Sequence, residues 1–541
     1  MRLADDRARC TGGWLALVFV IAVAGGGLAS LALAATAAGG SFLAAMASPR
    51  LADIVSFTLR QAALSTLFSA VLALPLALAL ADEHRFRGRA TLLRLFALPL
   101  ALPALAGALG VLAVFGQNGA VAWLVGLGGF AAPDIYGLPG ILIAHVFFNL
   151  PLTTRILLFA LETIPTEYKA QAAALGLPRH VWFALVEWPV LKRPLFGASA
   201  LVFMLCMTSF VIVLTLGGGP AATTLEVAIY QSLAFDFDIA AAVALTATQL
   251  ALAAIVFLAL GRRAAGLETQ GRTLEPKAWK TRLRRPAAAV ALERGMIALG
   301  TVFVGAPILA LVQRGLAAGP AQLLARADVQ DAIATSLVLG LVSAVLATGL
   351  ALALAAAHEA ARRRSAGRRG VFGFATGAGA NLVFAMPPLA IAAGWFVGIR
   401  FFTDPWAFGA PLVAAVNAMM ALPFAIRLIQ PAFDAAAARH NRLCAALGLY
   451  GLRRAAIIDL PAMRRPLATA FAFSMALGIG DLGVIALFGS DDLRTLPFLI
   501  LQRMGSYRTS DAAALTLVLM VLVLALVWVA DRLSARERKC V

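Results

Sequence analysis

Ser69-Ala-Val-Leu-Ala, followed by Leu76-Ala-Leu-Ala-Leu-Ala, recurs as Ser343-Ala-Val-Leu-Ala followed by Leu350-Ala-Leu-Ala-Leu-Ala, 274 residues further on. In a chain rich in Ala and Leu such a match has little weight alone. A second match gives it weight: at a constant offset of 272, Pro151, Arg155, Gly176, Pro189, Arg193 and Pro194 meet Pro423, Arg427, Gly448, Pro461, Arg465 and Pro466. One deleted residue later, Thr224-Leu225 and Gln231 align with Thr495-Leu496 and Gln502. The sequence therefore reads as two copies of one unit.

The units are membrane units. Of 541 residues, 61% are hydrophobic and 13% charged, where soluble domains average roughly 25% charged, so too little polar surface exists to solvate several globules. A membrane helix needs about 20 apolar residues to cross ~30 Å of hydrocarbon. Twelve stretches qualify, near 14–37, 59–81, 92–116, 137–159, 194–216, 240–261, 294–313, 332–357, 371–398, 409–430, 467–488 and 512–530. Arg2, Arg7 and Arg9 ahead of the first fit a signal-peptide n-region, but its apolar run exceeds the 7–15 residues of a signal core, which favours a retained helix. The net charge of +18 suggests nucleic acid at first sight. The basic clusters alternate with apolar runs, however, so they face lipid headgroups and no nucleic-acid partner is expected. Cys10, Cys206, Cys444 and Cys540 show neither metal spacing nor a paired framework.

Basic side chains resist translocation. With the N-terminus inside, the inner segments hold most of the 45 Lys and Arg residues, which predicts two cytoplasmic termini. The expected fold is an all-α polytopic membrane protein with about twelve spans in two parallel six-helix repeats. An even number of spans gives both copies the same topology, related by an axis along the membrane normal. The expected divisions are 1–58, a first helix and outer segment; 59–261, the first half; 262–293, a basic linker; 294–329, the seventh helix and outer segment; 330–533, the second half; and 534–541, a basic tail.

Segments 162–193 and 434–465 are long cytoplasmic stretches of unusual design. Each carries an Ala-rich helical run (Gln171-Ala-Ala-Ala-Leu-Gly176 and Cys444-Ala-Ala-Leu-Gly448), a break at Gly, and a short amphipathic stretch ending at Pro189 or Pro461. Glycine permits the positive φ that reverses a helix, and proline ends the second short helical stretch. The product is a helix-turn-helix elbow, duplicated on the charged face.

Gly followed thirteen residues later by Pro, with an apolar residue three before that Pro (Val186, Ile458) and small residues before the Gly, resembles the EAA loop of ABC importer permeases. The resemblance implies that the loop's short helix is a coupling helix, docking into a groove on a separate ATP-binding subunit. The coupling residues it implies are Ala170, Gln171, Ala172, Gly176, Glu187 and Pro189 in one copy and Arg442, Cys444, Ala445, Gly448, Asp459 and Pro461 in the other. The loop's leading glutamate falls at Ala170 and Arg442, so Glu187 and Asp459, two before each proline, are the acids left to replace its salt bridge.

Val186-Glu-Trp-Pro, Leu216-Gly-Gly-Gly-Pro-Ala-Ala-Thr-Thr-Leu-Glu-Val-Ala-Ile-Tyr-Gln, Asp481-Leu-Gly-Val-Ile-Ala-Leu-Phe-Gly and Arg494-Thr-Leu-Pro-Phe narrow the likeness to the fused permeases of thiamine and thiamine pyrophosphate importers, with the fused ferric-iron permeases as the nearest confusable group. What this implies is a multi-pass bacterial inner-membrane subunit, two copies of an ATP-binding partner, and a periplasmic or extracellular substrate-binding protein. No cofactor is expected in this chain. ATP and Mg belong to the partner, for the sequence has no Gly-x-x-x-x-Gly-Lys-Ser/Thr phosphate loop, no His-Glu-x-x-His and no metal cluster. An ion-coupled secondary transporter also has two six-helix halves, but would need intramembrane titratable groups.

Candidate pathway residues are few. Asp481, inside Gly478-Ile-Gly-Asp-Leu-Gly483, is expensive in a bilayer and must face protein or a wet path; Ser209 holds the matching place in the first half. A carboxylate there suits a thiazolium cation, and helix packing or capping is the competing reading. Pro99, Pro103, Pro387 and Pro388 fall in spans three and nine, where they read as hinges or as fixed kinks.

Overall fold

A computed structural model describes residues 2–83, 86, 88–132, 134–264, 286–364 and 386–535. Most of the 262–293 linker, residues 371–385 of the ninth expected span and most of the 534–541 tail lie outside them. Among the described residues the chain is helical, without strands. The elements that matter here are α1 (Arg2–Ala38), α2 (Pro49–Asp82), α3 (Ala104–Phe115), α4 (Leu138–Glu162), α5 (Thr166–Ala174), α6 (Trp188–Met207), α7 (Val211–Leu216), α8 (Ile239–Ala264), α9 (Ala287–Ala317), α10 (Ala327–Arg364), α11 (Pro388–Arg400), α12 (Gly409–Ala446), α13 (Leu460–Gly480), α14 (Gly483–Phe488) and α15 (Thr509–Ala535). Eleven helical stretches among the described residues are long and apolar enough to cross a membrane. Among the described residues, the ninth expected crossing holds α11, an apolar helix of 13 residues.

Four expected spans that read as continuous in the sequence contain a break. The third breaks at Leu102-Pro103, where Pro103 is the extended residue before α3. Pro387 does the same before α11, with φ −60° and ψ 134°. Both prolines are buried starts of helices rather than kinks inside them: proline has no N–H to donate, so the first turn, whose donors are spare, tolerates it. The fifth and eleventh spans break at matching points, between α6 and α7 and between α13 and α14.

The chain forms two compact units that cut across the two sequence copies. One comprises Met1–Leu51, Ala228–Ala253 and Ala318–Val541; the other comprises Ala52–Val227 and Ala254–Ala317. Thus α1 is built into the unit that holds most of the second copy, and α9, the first helix of that copy, into the unit that holds most of the first.

In the former unit, α1 packs along α10 and α11. The approach to α11 is close because the seam is glycine: a Cβ on Gly394 would run into the Gly27 carbonyl oxygen, and one on Gly398 into the Ser30 hydroxyl. The Trp395 indole N–H donates to the Val23 carbonyl at 2.7 Å. Small residues let membrane helices gain dispersion contacts and satisfy polar groups where lipid offers no hydrophobic drive. Such a seam, with Leu17, Val20, Val23 and Leu31 buried, makes α1 an integral element. In the other unit α9 packs on α3, and a Cβ on Gly110 would stand 2.7 Å from the Pro307 carbonyl oxygen.

Candidate functional site

The two elbows turn at Gly as the spacing predicts, but their second stretches do not end at Pro189 and Pro461: helix runs on through both prolines, within the spans Arg179–Met207 and Ala455–Phe488. In the first, α5 ends in a Schellman turn: the Leu177 N–H donates to the Ala172 carbonyl at 3.0 Å and the Gly176 N–H to the Ala173 carbonyl at 3.1 Å. The same pair closes the second, from Leu449 to Cys444 at 2.9 Å and from Gly448 to Ala445 at 3.4 Å. Each turn requires a left-handed residue, and Gly176 and Gly448 supply it with φ of 65° and 63°. One difference stems from a single residue. Pro165 interrupts the helix between α4 and α5, whereas Ala437 stands at the equivalent position and α12 runs unbroken from the membrane into the elbow.

Beyond the turn, Arg179–Trp182 and Gly451–Arg454 are single helical turns that lead into π-helical turns, Phe183–Glu187 and Ala455–Asp459. Trp188 N–H donates to Phe183 and Leu460 N–H to Ala455, five residues back. The proline one residue further on lacks the donor that an ordinary α-ladder needs, and a π-turn absorbs the mismatch. In the sequence only Pro189 and Pro461 hint at this; the inserted register leaves no mark of its own.

Ala170, Gln171, Gly176 and Pro189 are exposed, as are Arg442, Ala445, Gly448 and Pro461, while Ala172 and Cys444 anchor the elbows inward. Between them, matched apolar side chains reach solvent: Leu175 and Leu447, Leu185 and Ile457, Trp188 and Leu460. The sequence pattern points to Val186 and Ile458 instead; both are half-buried, one residue off the exposed face.

Glu187 and Asp459 do not reach for a partner. They are 1% and 5% exposed, and each belongs to an internal polar network, which corrects the expectation that they stand in for the missing glutamate. At the first elbow, Glu187 accepts from Arg179 at 2.5 Å and from the Trp182 indole at 2.8 Å. Arg179 also faces Asp82, at the end of α2, at 3.2 Å. Asp82 takes the Lys169 ammonium at 2.8 Å, and burial pulls Lys169 below the usual lysine range against the pull of Asp82. At the second elbow, Asp459 pairs with Arg9 at 2.9 Å and Arg454 at 3.4 Å. Arg454 donates to Asn441 at 2.6 Å, and Asn441 to Glu359 of α10 at 3.1 Å. Buried charges persist only when paired, so these networks fix the first elbow to the end of α2 and the second to α1 and α10.

The pathway candidates divide between the two units, Pro103 and Ser209 in one and Pro387 and Asp481 in the other. The Asp481 carboxylate accepts from the backbone N–H groups of Gly483 at 3.2 Å and Val484 at 3.2 Å, the geometry of an N-terminal cap on α14. Ser209 lies in the matching break before α7. A cavity of about 400 Å³ in the unit that holds α1 is lined by Thr348, Leu467, Phe471, Met475, Leu526 and Val529 among others and includes none of Ser209, Asp481, Pro103 and Pro387. Among the described residues no cluster of His, Cys, Asp or Glu is arranged to hold a metal ion.

Known proteins share this arrangement of sequence. The model of the binding-protein-dependent transport system inner membrane component family matches twice, over residues 73–265 and 349–539. The chain belongs to that family. This permease is 52% identical to the thiamine transport system permease protein ThiP of Brucella abortus (strain 2308), over 99% of this chain and 97% of the relative. It is 38% identical to the protein of the same name from Escherichia coli (strain K12), over 92% of each. A molybdenum transport system permease protein, ModB of Mycobacterium bovis, is 32% identical over 41% of this chain and 83% of its own length, so less than half of this permease corresponds to most of that protein. Neither family match includes α1 or α9, the two helices that change units.

Proposed function

We propose that this permease is the membrane subunit of an ATP-driven importer for thiamine or thiamine pyrophosphate. The full-length likeness to thiamine permeases carries the reading, and the duplicated elbow supports how it is driven. In this reading two copies of an ATP-binding subunit sit on the cytoplasmic face, their grooves receiving the apolar side chains of Leu175, Leu185 and Trp188 on one elbow and Leu447, Ile457 and Leu460 on the other. A soluble binding protein delivers substrate at the opposite face, and both termini of the permease are cytoplasmic. The chain has no phosphate loop, so hydrolysis and its Mg belong to the partners. Because the elbows are pinned by buried ion pairs, displacement at an elbow is carried into α2, α6, α10 and α13 rather than dissipated in a loose loop.

Uptake of labelled thiamine, thiamine pyrophosphate and ferric ion in cells lacking this chain tests the substrate. Loss of thiamine or thiamine pyrophosphate uptake with ferric uptake intact is expected. The converse result would assign the chain to iron.

A further inference from the structure

The two elbows close their buried acids differently. In the first, Glu187 is neutralised from within its own elbow, by Arg179 at 2.5 Å, with the Trp182 indole on its other oxygen. At the 272-residue offset Gly451 stands in the place of Arg179 and Arg454 in the place of Trp182. The second elbow has therefore lost the arginine that holds the first. Gly451 adopts φ 64°, a left-handed residue with no side chain to offer, and the Arg454 side chain is divided between Asn441 at 2.6 Å and one oxygen of Asp459 at 3.4 Å. The other oxygen of Asp459 is met from outside the copy: the Arg9 guanidinium of α1 lies 2.9 Å from Oδ2, with the two side chains 9% and 7% exposed. The same guanidinium sits 5.8 Å from the ring centroid of Phe433 on α12, close enough for a cation–π contact.

We propose that Arg9 is a positioning residue of the second elbow, supplying in trans, beside the longer contact of Arg454, the close ion pair that Arg179 supplies in cis in the first. This rests on the elbow being the coupling element. It makes the first crossing of the chain a working part of the second elbow: α1 is fastened to α10 and α11 along its length and, through Arg9, to the π-turn at its inner end. Without Arg9, Asp459 keeps only the longer pairing to Arg454 at 3.4 Å, an incomplete neutralisation that is costly in a buried site, so the elbow holds its shape best while α1 is seated.

The experiment uses the complete importer in vesicles, with its ATP-binding subunits and binding protein, and reads substrate delivered per ATP hydrolysed. For Arg9→Gln, complexes assemble and hydrolyse ATP but deliver about tenfold less substrate per ATP, equivalent to about 1.4 kcal/mol of lost coupling; Arg9→Lys recovers to within about twofold. Asp459→Asn, which removes the acid instead, lowers the same ratio. A wild-type ratio in Arg9→Gln overturns the proposal, and so does failure of both Arg9→Gln and Asp459→Asn to assemble, since the pair would then hold the fold rather than the elbow. Cysteine cross-linking of Leu185 and Ile457 to the ATP-binding subunit, in an otherwise wild-type chain, reports separately on the coupling reading: absence of cross-links there refutes that reading whatever Arg9 does.

Discussion

Replacing both Gly176 and Gly448 by Val isolates the elbow turn. Nothing lies within 4 Å of where a Cβ would sit at either position, so the substitution meets no neighbour and acts on the backbone alone. The two residues hold φ of 65° and 63°, a region that costs an L-residue with a Cβ roughly 1–2 kcal/mol, and a β-branched side chain at least as much. Against the roughly 5–15 kcal/mol of an ordinary fold the chain stays assembled in the membrane. Within each elbow, however, the native turn loses a factor of about 5–30 in population relative to alternatives, and the exposed face from Leu175 to Trp188 or from Leu447 to Leu460 is no longer presented as a unit. The assay is substrate uptake and ATP hydrolysis measured together in vesicles containing the whole importer. Uptake falls steeply while hydrolysis persists, and the double Asn variant, which adopts left-handed φ readily, remains close to wild type. Wild-type uptake and coupling in the double Val variant would refute the assignment of these turns to coupling.

Other expectations rest on the same geometry. Lys169→Met takes the 2.8 Å partner from buried Asp82 and leaves it Arg179 at 3.2 Å; stability should fall by less than the about 3–5 kcal/mol of a fully unpaired buried charge, read as a lower midpoint of thermal unfolding in detergent. Asp481→Asn keeps a capping oxygen and should transport normally, whereas Asp481→Ala should cost about 1 kcal/mol; loss of uptake in the Asn variant without loss of stability would place the carboxylate on the substrate path instead. Gly394→Val forces α1 off α11 by about the 1–3 kcal/mol typical of overpacking, and protease protection of α1 should fall. Leu185→Asp together with Ile457→Asp should release the ATP-binding subunit on purification while leaving the permease folded, because both side chains are exposed.

What the sequence conveyed and what it concealed divide along physical lines. Gly176, Gly448, Pro189 and Pro461 were readable because a left-handed turn and a missing N–H are properties of single residues. The duplication was readable because those residues keep their spacing. The exchange of α1 and α9 between units was not, since helix-to-helix packing along glycine seams such as Gly27 on Gly394 leaves no local signature. Pro103 and Pro387 announced a disturbance of the helix but not its kind; a kink and a fresh start look alike until the neighbouring residues are placed. Glu187 and Asp459 misled because one residue's shift around a π-turn decides whether an acid faces solvent or the buried arginine beside it. The role of Arg9 was hidden for a plainer reason: its partner lies 450 positions away.

The central claim is that two elbows transmit work from a separate ATP-binding motor. It is tested most directly by reconstituting the purified chain in vesicles with and without its ATP-binding subunits and binding protein, and following labelled thiamine under an imposed ion gradient. Accumulation only when the partners and ATP are present, unchanged by collapse of the gradient, is the expected result. Uphill accumulation by the chain alone, driven by the gradient, would contradict it.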